Sequence, residues 1–161
     1  MTALELLRKA DTALASAKRE LDAGDLDGAA NRLYYAMFHA ARVALLSTGR
    51  PAEGRHGTII AQFGLNFCKD GPLPTELGRA MNEAQELRVE GDYGAGTPVA
   101  SEVAAYVLKA EQFVTAVRGI VSGAYRVPLA EASQPAVGPC PAAPAASGVP
   151  AYIRLPRGFD A

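Results

Sequence analysis

The sequence predicts an all-α protein, an antiparallel up-and-down bundle of four to five helices that is followed by a Pro/Ala-rich C-terminal tail. Apolar residues recur at steps of three and four over most of residues 1–122, which is the spacing of helices that bury one face. Gly- and Pro-containing breaks divide this region into segments of helix length, and no series of alternating strands interrupts it. Short links between such helices favour antiparallel neighbours.

The first predicted helix, residues 2–21, carries specific signals at both ends. Thr2 and Glu5 have the spacing of a capping box, in which each side chain accepts a hydrogen bond from the backbone N–H of the other residue. Gly24 suits the left-handed position that ends a helix. Asp25 suits the N-cap of the next helix, so the first two helices are predicted to follow one another closely.

Gly and Pro mark the boundaries of the other helices. The second predicted helix runs over about residues 25–46 and ends before Gly49-Arg50-Pro51. The remaining predicted elements are, in order, a short apolar helix over 58–69, a helix over 75–90, a loop over 91–96, and a fifth helix that begins with Thr97-Pro98 and ends near residue 121.

Residues 123–161 are predicted to form a second region outside the bundle of residues 1–122. Six prolines and seven alanines fall within 127–150, a composition typical of a flexible or extended tail. The final residues, AYIRLPRGFDA, form a short mixed apolar and basic segment. Plain disorder is one interpretation of this region. A strand or hook that docks on a partner or on the protein's own body is the other.

The balance of charge excludes one class of nucleic-acid-binding protein. The chain has 16 basic and 17 acidic residues and a formal net charge of −1. A protein that coats duplex nucleic acid through bulk charge is therefore not expected. A small basic cleft that binds one phosphate is compatible with the same balance.

Cysteine usage and hydropathy predict a cytoplasmic protein without a membrane anchor. Cys68 and Cys140 are far apart and form no CxxC pair, so neither a disulfide framework nor a zinc cluster is expected. The first residues, MTALELLRKAD, lack the basic-then-apolar pattern of a signal peptide. No apolar run approaches the roughly 18 residues that a bilayer-spanning helix needs.

The stretch NRLYYAMFHAAR, residues 31–42, combines apolar and polar chemistry on the second predicted helix. Helical geometry divides it, with the following turn, into two neighbouring stripes. The apolar stripe is predicted to lie in the core and consists of Tyr34, Phe38, Ala41 and Leu45. The polar stripe is the candidate site and consists of Arg32, Tyr35, His39 and Arg42.

Arg32 and His39 are the residues of the polar stripe that suit phosphate chemistry. They are seven positions apart, which on a helix is roughly 700° of rotation and about 10 Å of rise, so both face nearly the same way. The simpler interpretation is a core histidine with satisfied hydrogen bonds and an arginine that pairs with an acid of another helix. The presence of several polar groups on one stripe weakens this simpler interpretation, because each group needs a partner when it is buried.

Other kinds of catalytic site have little support in the sequence. Glu53 and His56 have E-x-x-H spacing, but a di-iron bundle needs that motif twice on regular helices, with further carboxylates. Cys68 lies in an apolar run and is predicted to be a small core residue. There is no Gly-x-Ser-x-Gly elbow and no phosphate-binding GxxxxGK motif. We therefore predict no metal and no cofactor.

The segment around Arg88 is a second candidate for binding or support. ELRVEGDYG places Arg88 at the end of the fourth predicted helix, close to Asp92 and Tyr93. The alternative is a helix C-cap with a salt bridge, which needs no ligand.

Three segments together resemble one protein family. RLYYAMFHAARVALL closely resembles the signature helix of small HEPN-domain proteins, and RHGTIIAQFGLNFCKDG and ELRVEGDYG follow in the order that this family shows. The resemblance covers about residues 1–122. It implies a bundle of four or five helices that usually dimerises, and a metal-independent ribonuclease that is often the toxin of a toxin–antitoxin pair. The partner it implies is a minimal nucleotidyltransferase encoded beside it.

The resemblance also implies roles for particular residues. The family's catalytic motif is an Arg and a His separated by four to six residues, and six residues separate Arg32 from His39. A His of near-neutral pKa can act as the base on the 2′-hydroxyl of RNA, and an Arg can stabilise the phosphorane. Substrate-binding or support roles are assigned to Tyr35, Arg42, His56, Arg88, Asp92 and Tyr93.

Two other functions are compatible with the same residues. The first is a non-catalytic HEPN module that binds a nucleotide or a nucleotidyltransferase partner without cleaving RNA. The second is an oligomeric helical scaffold whose tail binds other proteins.

Overall fold

The computed structural model describes residues 1–93 and 98–123, all of which belong to the compact unit Met1–Pro128. The described residues form five α-helices and no strand, so the predicted all-α helical bundle is confirmed. The helices are α1 Ala3–Ala23, α2 Leu26–Ser47, α3 His56–Phe63, α4 Thr75–Tyr93 and α5 Ala100–Val121. Apart from Gly123, the predicted tail lies outside the described residues. The second unit, Leu129–Ala161, lies wholly outside them.

The predicted signals between α1 and α2 are confirmed. The Glu5 N–H donates to Thr2 Oγ1 at 3.2 Å, and the Thr2 N–H donates to Glu5 Oε2 at 2.7 Å, which completes the capping box. Gly24 follows with φ of 81°, a left-handed conformation that glycine adopts without strain. Asp25 then caps α2 by accepting from the Gly28 N–H at 2.9 Å. The capping box fixes the start of α1, and Gly24 and Asp25 fix the tight turn that places α1 against α2.

The central helix of the bundle is α2, which packs against all four of the other helices. The predicted core stripe is confirmed, because Tyr34, Phe38, Ala41 and Leu45 are all buried. Burial extends well beyond that stripe, as expected for a helix with neighbours on several sides. The small side chains that allow this close approach are Ala29, Ala30, Ala36, Ala40, Ala41 and Ala44.

The link between α3 and α4 differs from the prediction. The third helix begins at His56 rather than residue 58, and its second half is a π-helical turn, Gly64–Lys69. This wider turn keeps Phe67 and Cys68 buried. Gly71 packs so closely on it that an added Cβ would collide with the Phe67 backbone. The apolar pattern predicts a helix here, but it does not distinguish α from π winding.

The predicted boundaries around residues 91–98 are also wrong. Residues 91–93, predicted as loop, continue α4, because one glycine is tolerated inside a helix at a modest cost. At α5, the backbone of Val99 is extended, with ψ of 132°, so the helix begins at Ala100 and Pro98 lies outside it. Thr97, the predicted cap, lies outside the described residues. None of the helices described here is both long and apolar enough to cross a bilayer.

Two surface ion pairs join α1 to α5. Lys18 Nζ lies 2.9 Å from Glu111 Oε1, and Arg118 pairs with Asp11. On a helical projection, Asp11 and Lys18 lie on one flank of α1, and the core-facing alanines separate them from the opposite flank. That opposite flank faces α2.

Candidate functional site

A cavity of about 430 Å³ opens between α1 and α2, and three residues of the predicted polar stripe line it. They are Arg32, Tyr35 and His39. Its other lining residues come from α1 and are Arg8, Lys9, Thr12, Ala13 and Ser16. Among the described lining residues, three are cationic and none is acidic. The structure thus brings Arg32 and His39 to one cavity.

Arg32 is held only weakly by its neighbour. Its Nε lies 3.7 Å from Glu20 Oε1, and 52% of the Arg32 side chain is exposed. An exposed ion pair at this distance contributes at most about 1 kcal/mol to stability. The expected pairing with an acid of another helix is therefore present, but it is loose enough for the guanidinium to turn towards a ligand.

His39 is a neutral imidazole with an unusual environment. Its Nδ1 is buried and has no hydrogen-bond partner within the described part of the chain. Burial, together with the positive charges of Lys9 and Arg42 and the nearby His56, lowers the pKa of His39 to about 4. At neutral pH the ring is therefore uncharged and able to accept a proton.

His56 belongs to an aromatic cluster on the α3 side of α2. Its Nδ1 lies 2.9 Å from the Tyr34 hydroxyl, and its ring stacks on Phe38 with centroids 4.3 Å apart. Burial raises the pKa of Tyr34 to about 12, so the phenol keeps its proton. Burial and the Arg88 charge lower the pKa of His56. Both pKa shifts agree with a hydrogen bond in which the Tyr34 hydroxyl donates to Nδ1 of the neutral His56 ring.

Tyr35 connects the aromatic cluster to the cavity. Its ring centroid lies 6.0 Å from that of His39 and 5.9 Å from that of His56. The Arg88 guanidinium lies 5.1 Å from the centre of the Tyr35 ring and 5.3 Å from that of Tyr34, within cation–π range. Arg88 therefore supports the tyrosines from α4 without lining the cavity.

Arg42 has a different position from the rest of the polar stripe. Its Nε donates to the Ala52 carbonyl at 2.6 Å, and its guanidinium lies 6.0 Å from the Phe38 ring centre. It braces the link that leads to α3. The cavity residues do not include it.

Comparison with known proteins adds the family. A family model described as HEPN domain matches residues 3–120. The chain belongs to the HEPN domain family. Relatives include a UPF0332 protein of Gloeobacter violaceus, 36% identical over 107 residues that make up 66% of this chain and 84% of the relative. A UPF0332 protein of Thermotoga maritima is 35% identical over 115 residues, 71% of this chain and 86% of that protein.

A third relative has a functional name. The protein named “Putative toxin MJ0605”, from Methanocaldococcus jannaschii, is 34% identical over 87 residues, which are 54% of this chain and 64% of the relative. The resemblance that the sequence showed to small HEPN proteins is thus confirmed at the level of the family.

The remaining predicted residues of this HEPN domain lie apart from the cavity or beyond description. Asp92 and Tyr93 end α4, and their side chains lie outside the described residues. His56 of the E-x-x-H spacing is engaged by Tyr34, and among residues 1–93 and 98–123 no three His, Cys, Asp or Glu side chains could hold a metal ion. Cys68 is buried, and burial raises the pKa of its thiol.

The α1 half of the cavity in this HEPN domain was missed from the sequence. Arg8, Thr12 and Ser16 recur at steps of four on the first helix, next to the core stripe, and this is the signal that marks them. A polar stripe of this kind is usually a solvated face. Only the packing of α1 on α2 distinguishes this one.

Proposed function

We propose that this HEPN domain is a metal-independent endoribonuclease whose site is the cavity between α1 and α2. The observation that carries the proposal is that Arg32 and a neutral His39 line the same cavity, where no described lining residue is acidic. His39 would accept the proton of an RNA 2′-hydroxyl as that oxygen bonds to the adjacent phosphorus. The P–O5′ bond then breaks, the 5′-oxygen takes up a proton from water, His39 returns its proton to the solvent, and a 2′,3′-cyclic phosphate remains.

Arg32 has the complementary role of stabilising charge. Its exposed guanidinium can place two N–H donors on the phosphorane oxygens, where negative charge develops. Burial is the main cause of the lowered pKa of His39, and a phosphate in the cavity would oppose the smaller contribution of the positive charges of Lys9 and Arg42. Substrate binding would therefore raise that pKa towards the range in which a histidine base works best.

A non-catalytic binding module is the second candidate, and the environment of His39 favours it. Catalytic bases are usually oriented by a third group, whereas Nδ1 of His39 has no partner among the described residues. A cavity that binds a nucleotide phosphate without cleaving RNA needs the cations but not a proton acceptor.

The biological setting that we propose is a cytoplasmic toxin–antitoxin pair. Relatives named as toxins support this setting. The proposed partner is a minimal nucleotidyltransferase, and the proposed assembly is a homodimer. Toxicity on sole expression, relieved by co-expression of a neighbouring nucleotidyltransferase, is the expected result.

An RNA-cleavage assay in the presence of EDTA tests the proposed reaction. Wild type should leave 2′,3′-cyclic phosphate ends, and His39→Gln should reduce the rate by a factor of about 100 or more, as loss of a general base does. Arg32→Gln should also reduce the cleavage rate. Its control is Arg50→Gln, which replaces an exposed arginine in the link after α2. Bound but uncleaved RNA would select the binding module. Cleavage unchanged in His39→Gln would disprove the mechanism.

A further inference from the structure

The α1 side of the cavity carries two cationic side chains. Arg8 and Lys9 are both exposed, and neither forms an ion pair within residues 1–93 and 98–123. Of the acids of α1, Asp11 pairs with Arg118 of α5, and Glu20 lies beside Arg32. Glu5 completes the capping box, and its pKa is lowered mainly by the hydrogen bonds of that box and to a smaller extent by the charge of Lys9. In a protein with a net charge of −1, two cations on one cavity wall, with no ion pair among the described residues, make that wall locally favourable for an anion.

The same wall offers hydrogen-bond donors of the right kind. Ser16 Oγ accepts from Arg19 at 2.8 Å, so its own O–H proton can point elsewhere. Lys9 lies near enough to His39 for its charge to act on the imidazole. Arg32 faces the wall from α2. Cations therefore surround the opening on more than one side.

The size and lining of the cavity suit one nucleotide rather than a duplex. A volume of about 430 Å³ lies at the lower end of the range for small-molecule sites. The partly buried Tyr35 ring presents an aromatic surface on which a base can stack. Single-stranded RNA, with unpaired bases and a phosphate at each step, matches this combination.

We propose that Arg8 and Lys9 bind the phosphate next to the scissile one, so that α1 holds single-stranded RNA while α2 presents Arg32 and His39 to the reacting phosphate. This inference rests on the proposed function in using the same cavity. It assigns to α1 a binding role, which holds whether or not the RNA is then cleaved.

Binding of an RNA that cannot be cleaved tests the assignment. The probe is a single-stranded oligoribonucleotide with 2′-fluoro substitution at every position, which removes the attacking hydroxyl, and its anisotropy is measured over a range of NaCl concentrations. Arg8→Gln and Lys9→Gln should each weaken binding about tenfold, as loss of a charge-assisted phosphate contact does. Each should also reduce the slope of log K against log salt by about 0.7.

Lys18→Gln is the matched control. Lys18 lies on the same helix but on the α5 flank, where it pairs with Glu111, and the substitution removes the same charge. The affinity of the Lys18→Gln variant for the probe should stay within about twofold of wild type, and its slope of log K against log salt should be unchanged. Equal loss in Lys18→Gln and Lys9→Gln would mean that only overall charge matters and would overturn the inference. So would a wild-type protein that does not bind the probe.

Cleavage of unmodified RNA separates the two proposals. If wild type binds the probe through Lys9 but cleaves nothing, the α1 assignment stands and the ribonuclease proposal fails. If His39→Gln abolishes cleavage while Lys9→Gln changes neither binding nor cleavage, the ribonuclease proposal stands and the α1 assignment fails.

Discussion

His39 and His56 have pKa values lowered in the same direction, yet their rings are in different situations. His56 stacks on Phe38 and accepts from Tyr34, so its neutral form is satisfied. The buried Nδ1 of His39 has no such partner among the residues that the structure describes, and a protonated ring would bury an unsatisfied donor. The first arrangement explains a structural histidine. The second leaves His39 without the internal hydrogen bond that holds His56 in place.

The lowered pKa of His39 predicts a specific pH dependence of stability. Between pH 6.5 and about 4 the unfolded chain binds a proton that the folded ring refuses, so His39 makes the free energy of unfolding fall as the pH falls through this window. We expect His39→Gln to lose roughly 1–2 kcal/mol less than wild type between pH 7 and pH 4.5. Urea unfolding at both pH values measures this, and parallel losses would contradict it.

The Tyr34–His56 hydrogen bond should contribute measurably to stability. Tyr34 is fully buried, so Tyr34→Phe keeps the packing but leaves His56 Nδ1 without its donor. We expect a loss of about 1–2 kcal/mol in the free energy of unfolding. Tyr106→Phe, which removes a hydrogen bond to the partly exposed Glu83, is the matched control and should cost less. Equal effects in urea unfolding would assign no special role to the pair.

At the scale of single elements, local signals predicted both ends of α1 and the start of α2 well and the α3–α4 link poorly. Thr2, Gly24 and Asp25 act through bonds within a few residues, so sequence spacing suffices to predict them. The π-helical turn, Gly64–Lys69, has the same apolar composition as an α-helix. Its winding depends on close packing with Gly71 and with Gly78 of α4, which sequence spacing does not encode.

The glycines of the α3–α4 link predict opposite effects of the same substitution. An alanine Cβ at position 71 would collide with the backbone of the π-helical turn, so Gly71→Ala should cost more than about 2 kcal/mol. At Gly64 the backbone is right-handed helical and nothing lies within 4 Å, so Gly64→Ala should stabilise by up to about 1 kcal/mol. Thermal and urea unfolding of the two variants check this, and a shared sign would contradict it.

At the scale of the whole molecule, the cavity exists because α1 packs against both α2 and α5. The core of α1 includes Leu6, Ala10 and Ala17, all fully buried. The ion pairs with α5 lie on the surface, and their side chains are nearly half exposed. Apolar burial, rather than charge pairing, therefore holds α1 in place beside Arg32 and His39.

The contrast between apolar burial and surface ion pairs gives a prediction for the whole bundle. Leu6→Ala removes a fully buried side chain and leaves a cavity, so we expect a loss of about 2–5 kcal/mol in the free energy of unfolding. Lys18→Gln, which breaks the ion pair with Glu111, should cost less than about 1 kcal/mol. Comparable losses in urea unfolding would show that surface pairs position α1.

The sequence by itself determined the all-α class, the ends of α1, the core stripe of α2, the family, and the pairing of Arg32 with His39 on one helix face. These follow from helical periodicity, capping and spacing, which act over a few residues. Tertiary structure alone decided that Arg8 and Lys9 complete the cavity, that Arg42 turns to Ala52 and that His56 joins Tyr34. The physical reason is that each of these contacts joins different segments, and their approach depends on how the whole bundle packs.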